Sequence, residues 1–345
     1  MDIVNLIGDW ISERESLLSG AAAIIVLMSV LVSVIGITYR RLVKTESRDS
    51  NEEESAAVTA ITLKDLSAPS EAKIEFAESD GLRIAYTLQG SGPHDIVVAP
   101  GIISHLNLMS HMPPIRNTVD DLSRFARVLC FDKRGQGLSD PCVDVPDLNE
   151  RVHDIEAVMD AAGMDQAILY GVSEGGPMCL KFAHEHPERV KGLVLLGTTA
   201  CWMQSADFPI GITEKALDGM ADAWGTGVLR DIFFPGISRE QMDDKTYQGF
   251  EKLIGTRDSI RQIVEYMKKT DVRPLLPQIS RPALVIHFSG DLSVPVRLGR
   301  AVADAIPNAD FLEVSGTDHA DLSQSPEGME RVKQFADSLQ VTLQD

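Results

Sequence analysis

Six short apolar runs without a polar face punctuate this chain: "DIVVAPG", "RVLCFD", "AILYGV", "KGLVLLGT", "ALVIHFSG" and "DFLEVSG". A strand that shows water one of its faces alternates apolar and polar residues. A run that is apolar throughout is covered on both sides, as in a parallel sheet sandwiched between helices. Helical spacing fills the gaps. Leu148, Val152, Ile155, Val158 and Ala162 form one stripe, and Gly163 marks its end. Ahead of the first run, "KIEFAES" meets "LRIAYTLQG" through Asp80-Gly81, a hairpin signal. A hairpin feeding a strand–helix series predicts an α/β fold with a mostly parallel, doubly wound sheet. Ligands of such sheets sit at the carboxyl ends of the strands.

One stretch breaks the alternation. Residues 200–277 hold no clear strand, and helix-like segments run through 213–234, 239–255 and 258–270. An insertion of this length between two strands predicts a small helical cap rather than a loop. Its aromatic residues, Trp202, Phe208, Trp224, Phe233 and Phe234, suit two roles equally: lining a pocket beneath the cap, or forming the cap's own core.

Ser173 stands at the carboxyl end of a run, in "GVSEG", with "QAILY" before it and the helix-like "GGPMCLKFAHEH" after it. A G-x-S-x-G turn from buried strand to helix forces the serine into a strained conformation, and Gly171 and Gly175 let the neighbouring backbones approach. The turn presents the hydroxyl above the sheet. It also aims the Glu174 N–H and the helix start at a developing oxyanion. A serine hydroxyl needs a base, and the base needs an orienting acid. The expected chain order is serine, acid, histidine. Asp291 ends "ALVIHFSG", and His319 follows "DFLEVSG" in "TDHADL", so both fall at strand ends in that order. Other histidines fit less well. His287 lies inside a strand and reads as a packing residue. His184 and His186 close the helix after Ser173. His105 and His111 follow "DIVVAPG" and are placed to line a pocket. Asp318 adjoins His319 but points elsewhere, and Glu313 lies within a strand.

A second oxyanion donor is expected after "DIVVAPG", and the N–H of Ile102 is the candidate. The segment "DKRGQGLSD", residues 132–140, lacks the lysine and third glycine of a phosphate loop and reads as a tight turn that buttresses the rim. No motif points to a metal or to a dinucleotide, so no cofactor is expected. The formal net charge of −19 argues against nucleic acid as a partner. The four cysteines form no C-x-x-C pair and read as reduced, structural thiols.

The amino-terminal part is of another kind. After a short segment, 1–15, residues 16–39 carry no charge and would span about 36 Å as a helix, enough for a bilayer core. Acidic residues precede this run. Arg40, Arg41, Lys44 and Arg48 follow it, which predicts a single-pass anchor in the cell membrane, with the N-terminus outside and the following domain cytoplasmic. Residues 40–72 are polar and acidic and read as a flexible tether, leaving residues 73–345 for the α/β domain.

With these motifs in view, residues 73–340 resemble the α/β-hydrolase superfamily. The likeness rests on "VAPGIISHL", "RVLCFDKRGQGLSD", "GVSEGGPMCLKFAHEHPERV", "LVIHFSGDLSVPV" and "GTDHA". With the cap segment "WGTGVLRDIFFP", it is greatest to hydrolase domains associated with class III adenylate cyclases and to esterase- and haloperoxidase-like members. The resemblance implies the α/β-hydrolase fold and a Ser173–His319–Asp291 triad. The superfamily's usual His-Gly start to the oxyanion loop is Pro100-Gly101 here. The expected function is a membrane-anchored serine hydrolase that cleaves an ester, thioester or lactone with an apolar acyl group. The rival is a ligand-binding sensor or signalling scaffold with little turnover.

Overall fold

In the computed structural model of the protein, residues 60–341 are described. The elements, in chain order, are α1 (Leu63–Leu66), β1 (Glu75–Ser79), β2 (Leu82–Gln89), β3 (His94–Ala99), α2 (Leu106–His111), α3 (Pro113–Ser123), β4 (Ala126–Phe131), α4 (Leu148–Ala161), β5 (Ala167–Val172), α5 (Gly176–Glu185) and β6 (Val190–Leu196). Then come α6 (Glu214–Ala223), α7 (Arg230–Phe233), α8 (Asp244–Ile254), α9 (Arg257–Lys269), β7 (Ala283–Phe288), α10 (Val296–Ala305), β8 (Ala309–Val314) and α11 (Pro326–Val341).

The eight strands form one sheet in the order β1-β2-β4-β3-β5-β6-β7-β8. β1 and β2 pair antiparallel, as do β2 and β4. The pairs from β4 through β3 to β8 are parallel. Asp80 and Gly81 turn the first hairpin with φ of 51° and 80°, the left-handed pair that a two-residue hairpin needs. Apolar clusters fill both faces of the central strands, and every residue of β7 is buried. β8 departs from the two-sided pattern. It is an edge strand, Asp310 and Glu313 are exposed, and its apolar residues are mostly half-buried, Ala309 and Phe311 against one core cluster and Leu312 and Val314 against the other.

On α4, Val152, Ile155 and Val158 are buried, and Asp147 caps the helix start in a reciprocal box with Glu150. Helices α6 to α9 lie between β6 and β7 and build the cap. Of the aromatic residues named in 200–277, Trp202, Trp224, Phe233 and Phe234 are buried in one apolar cluster together with Tyr247 and Phe250, and Phe208 packs against it half-buried.

The amino-terminal segment, the membrane-spanning candidate 16–39 and residues 40–59 of the tether lie outside the described residues. Among the described residues, no helix is long and apolar enough to cross a membrane. The tether boundary at residue 72 needs correction, because residues 60–72 are docked. Leu66 is fully buried in the cap cluster and Ile61 packs against that cluster. The Ile61 N–H donates to the Gln241 carbonyl at 2.7 Å, and Thr62 caps α1. Buried apolar side chains and a few backbone hydrogen bonds hold this polar stretch down, which an average over its composition conceals.

Candidate active site

The chain leaves β5 at Val172, makes one tight turn over Ser173–Gly175 and enters α5. Ser173 has φ 52°; Asp80 is the other non-glycine residue with positive φ among the described residues. An L-residue held there carries strain of about 1–3 kcal/mol, which the surroundings must enforce. They do so by close approach. A Cβ on Gly175 would lie 2.3 Å from the Ala99 carbonyl oxygen, and one on Gly171 would lie 2.9 Å from the Gly176 Cα. The Thr198 hydroxyl donates to the Ser173 carbonyl at 2.5 Å. Gly101 lies against the serine, since a Cβ there would sit 3.5 Å from Ser173 Oγ.

Asp291 follows β7 and His319 follows β8, and the fold brings the two side chains together. His319 Nδ1 and Asp291 Oδ2 are 2.7 Å apart. The other carboxylate oxygen accepts the N–H groups of Ser293 and Val294 at 2.8 and 3.0 Å. Both side chains are buried. Burial works to raise the Asp291 carboxyl, but the charge on His319, hydrogen bonds from His287 and His319 and the Val294 amide outweigh it. The group is held well below the usual carboxylate range. For His319 burial acts downward, and the charge and hydrogen bond of Asp291, helped by Asp318, raise the imidazole above 6.5. Asp318 turns away, as expected, and accepts the Ala320 and Asp321 amides.

Ser173 and His319 line the same cavity, of about 80 Å³. Ile102, Ile103, Met109, Ile115, Phe233 and Phe234 make its apolar walls. The choice left open for the cap aromatics therefore resolves by residue: Trp202 and Trp224 belong to the cap core, while Phe233 and Phe234 serve both core and cavity. His105 and His111 do not line this cavity. His111 instead bonds the Ala68 carbonyl at 3.0 Å and helps hold the docked segment. A larger groove of about 940 Å³ lies between the start of α4 and the cap helix α9. Neither Ser173 nor His319 touches it, and its walls mix both signs of charge, so the smaller cavity is the candidate site.

The family described as alpha/beta hydrolase fold matches residues 96–241. A 2-hydroxy-6-oxononadienedioate/2-hydroxy-6-oxononatrienedioate hydrolase of Burkholderia vietnamiensis is 30% identical over 245 residues, covering 67% of this chain and 82% of that protein. The chain belongs to the α/β-hydrolase family. A pimeloyl-[acyl-carrier protein] methyl ester esterase of Nitrosomonas europaea is 25% identical to the hydrolase over 247 residues, covering 69% of this chain and 93% of the esterase. The solved esterase from Exiguobacterium antarcticum superposes with a TM-score of 0.63 at 20% identity, covering 81% of this chain and all of that one, a likeness of fold.

Two features of the hydrolase escape a reading of motifs. His287, taken as packing, is fully buried, but its Nε2 lies 3.4 Å from Asp291 Oδ2 and 2.6 Å from the Val294 carbonyl oxygen, so it also braces the acid. The second is the side chain of Glu174. The residue draws notice for its amide, yet its carboxylate is buried in an ion pair with Lys133 and bonds Arg151 Nη1 at 3.0 Å. Lys133 Nζ also donates to the Gly101 carbonyl at 2.7 Å. A glutamate inside an apolar elbow does carry a signal, because a buried charge demands a partner of opposite sign. Sequence spacing does not say which one. "DKRGQGLSD" does form a tight turn, with Asp132 accepting the Leu106 and Leu138 amides, but it delivers Lys133 as well.

Proposed function

We propose that this hydrolase is a serine hydrolase that cleaves an ester, thioester or lactone with an apolar acyl group. The observation that carries the proposal is the 2.7 Å contact between His319 and Asp291 in the wall of the cavity that Ser173 also lines. Ser173 Oγ attacks the carbonyl carbon while its proton passes to His319 Nε2. Asp291 fixes the tautomer through Nδ1 and stabilises the imidazolium. The amides of Ile102 and Glu174 hold the negative oxygen of the tetrahedral intermediate. The C–O or C–S bond then breaks, and the leaving group takes the proton from His319. Water repeats the sequence on the acyl-serine, returning Ser173 and releasing the acid. The aliphatic and aromatic cavity wall supports the apolar acyl group.

A fluorophosphonate probe tests the nucleophile. Wild-type protein is expected to be labelled and Ser173→Ala not; labelling that survives in the variant assigns the wrong serine. Turnover on p-nitrophenyl acyl esters separates an enzyme from a sensor, which would bind ligand and gain thermal stability without releasing product.

Membrane anchoring through residues 16–39 is part of the same proposal, supported by the uncharged run and the basic cluster after it. The full chain is expected to stay with membranes through a carbonate wash, and a chain lacking residues 1–59 to leave them. Protease added outside intact cells is expected to spare the hydrolase domain.

A further inference from the structure

Lys133, Glu174 and Arg151 reach one point from three parts of the fold: the loop after β4, the elbow after β5, and α4. All three side chains are almost completely buried. Such a cluster is a poor source of stability. Removing charges from water carries a large penalty, and well-packed apolar residues of the same volume often serve folding as well or better. What an ion cluster supplies better than apolar packing is fixed geometry, because its bonds are directional.

Lys133 bonds two acceptors, and each belongs to one side of the oxyanion site proposed above. One is the Gly101 carbonyl, at 2.7 Å. In a trans peptide the carbonyl of one residue and the N–H of the next point in opposite directions. Holding the Gly101 oxygen on the ammonium therefore turns the Ile102 N–H away from it. Gly101 itself lies against Ser173, and Ile102 lines the cavity. The other acceptor is the Glu174 carboxylate, whose residue supplies the second amide. Arg151 holds the other carboxylate oxygen, and its guanidinium stacks 4.2 Å from the Tyr266 ring centroid on cap helix α9.

We infer that Lys133 is a positioning residue that ties the oxyanion loop to the nucleophile elbow, so that the Ile102 and Glu174 amides converge on one oxyanion. This rests on the serine-hydrolase proposal and deepens it. Lys133 touches neither substrate nor reacting atoms in this role; it acts through the two peptides it holds. Burial pushes its ammonium down to about 8, against the pull of Glu174 and with a further push from Arg151; Asp132 is the remaining charge facing it. The ammonium is thus charged at neutral pH and weakens its hold as pH rises past that value.

The test uses the full chain, p-nitrophenyl hexanoate as substrate and an alkyl trifluoromethyl ketone as an oxyanion-forming inhibitor. Lys133→Met is expected to lower kcat by about 10- to 100-fold, with KM changing by less than about threefold. Affinity for the ketone should fall in proportion to kcat, whereas affinity for the matching unreactive alkyl amide stays. Lys133→Arg keeps the charge and is expected to restore much of kcat. It should also remove the decline in rate expected of the wild type above about pH 8. Rates are compared per folded molecule, judged by cooperative thermal unfolding. A Lys133→Met enzyme with kcat near wild type overturns the inference, as does an equal loss of ketone and amide binding. If Lys133→Met does not fold, Lys133→Arg decides: an alkaline limb unchanged from wild type, or failure of this variant to fold as well, reduces Lys133 to a structural role. Activity that survives in Ser173→Ala would instead strike the serine-hydrolase proposal itself, so the two failures are distinguishable.

Discussion

Two buried charge clusters lie near Ser173, and the proposals above give them different tasks. On one side His319 and Asp291 share a 2.7 Å contact at the ends of the last two strands. On the other, Lys133, Glu174 and Arg151 lock together beneath the elbow. The first cluster holds the imidazole that moves a proton in the proposed mechanism, with Asp291 raising its pKa above the ordinary histidine value. In the second, burial alone would raise the Glu174 carboxyl, but the two cations outweigh it and keep the group low and ionised. A proton-moving pair needs a member that changes charge during the reaction; a bracing cluster needs charges that persist at the working pH. On these proposals, buried charges yield either a mobile proton or a rigid frame, depending on which partners the fold supplies.

Substitutions on the two sides should separate these tasks. The largest effect is expected on the proton-moving side. Asp291→Asn should lower kcat/KM by about 10⁴-fold while leaving the fold intact, because it removes the group that sets the tautomer. Steady-state kinetics on p-nitrophenyl hexanoate measures it, and a loss below tenfold would deny Asp291 its role. Next comes the bracing side. Glu174→Gln leaves Lys133 and Arg151 without their buried anion and should destabilise the protein by about 3–5 kcal/mol, read by denaturant unfolding. A Glu174→Gln protein as stable as wild type would mean that the two buried cations do not depend on this anion. Leu66→Ala, remote from both clusters, should remove about 2–4 kcal/mol by opening a cavity where α1 meets the cap, with kcat little changed. Thermal unfolding beside a rate assay shows whether docking of residues 60–72 and catalysis are separable.

The smallest effect is a shift in pH dependence. In the proposed mechanism His319 must be neutral to accept the serine proton, and Asp291 raises its pKa above 6.5. The rate should therefore increase with pH through a midpoint above that value. Removing the negative charge in Asp291→Asn lowers the imidazole pKa, so the residual activity should have its midpoint at lower pH. A midpoint that moves upward, or stays, would contradict the charge pairing seen between the two residues.

How much of this was legible beforehand depends on the range of the interaction. The G-x-S-x-G turn, the Asp80-Gly81 hairpin and the α4 stripe act within a few residues, so the chain declares them locally. Chain order and strand ends were enough to nominate Asp291 and His319. The Glu174 carboxylate escapes a local reading because its partners lie 41 and 23 residues away in sequence. The docking of residues 60–72 escapes it because a few apolar contacts outweigh a polar average.

By itself the sequence determined the alternation of strands and helices, the strained turn at Ser173 and the residue types available for chemistry, because periodicity and backbone sterics are local properties. Only the tertiary structure decided which charge meets which: that His287 braces Asp291, that Phe233 and Phe234 face the cavity while Trp224 fills the cap, and that one lysine holds both Gly101 and Glu174. A buried charge or ring takes whatever neighbour the sheet order brings within reach. That order is fixed by the packing of the whole chain, not by any short stretch of it.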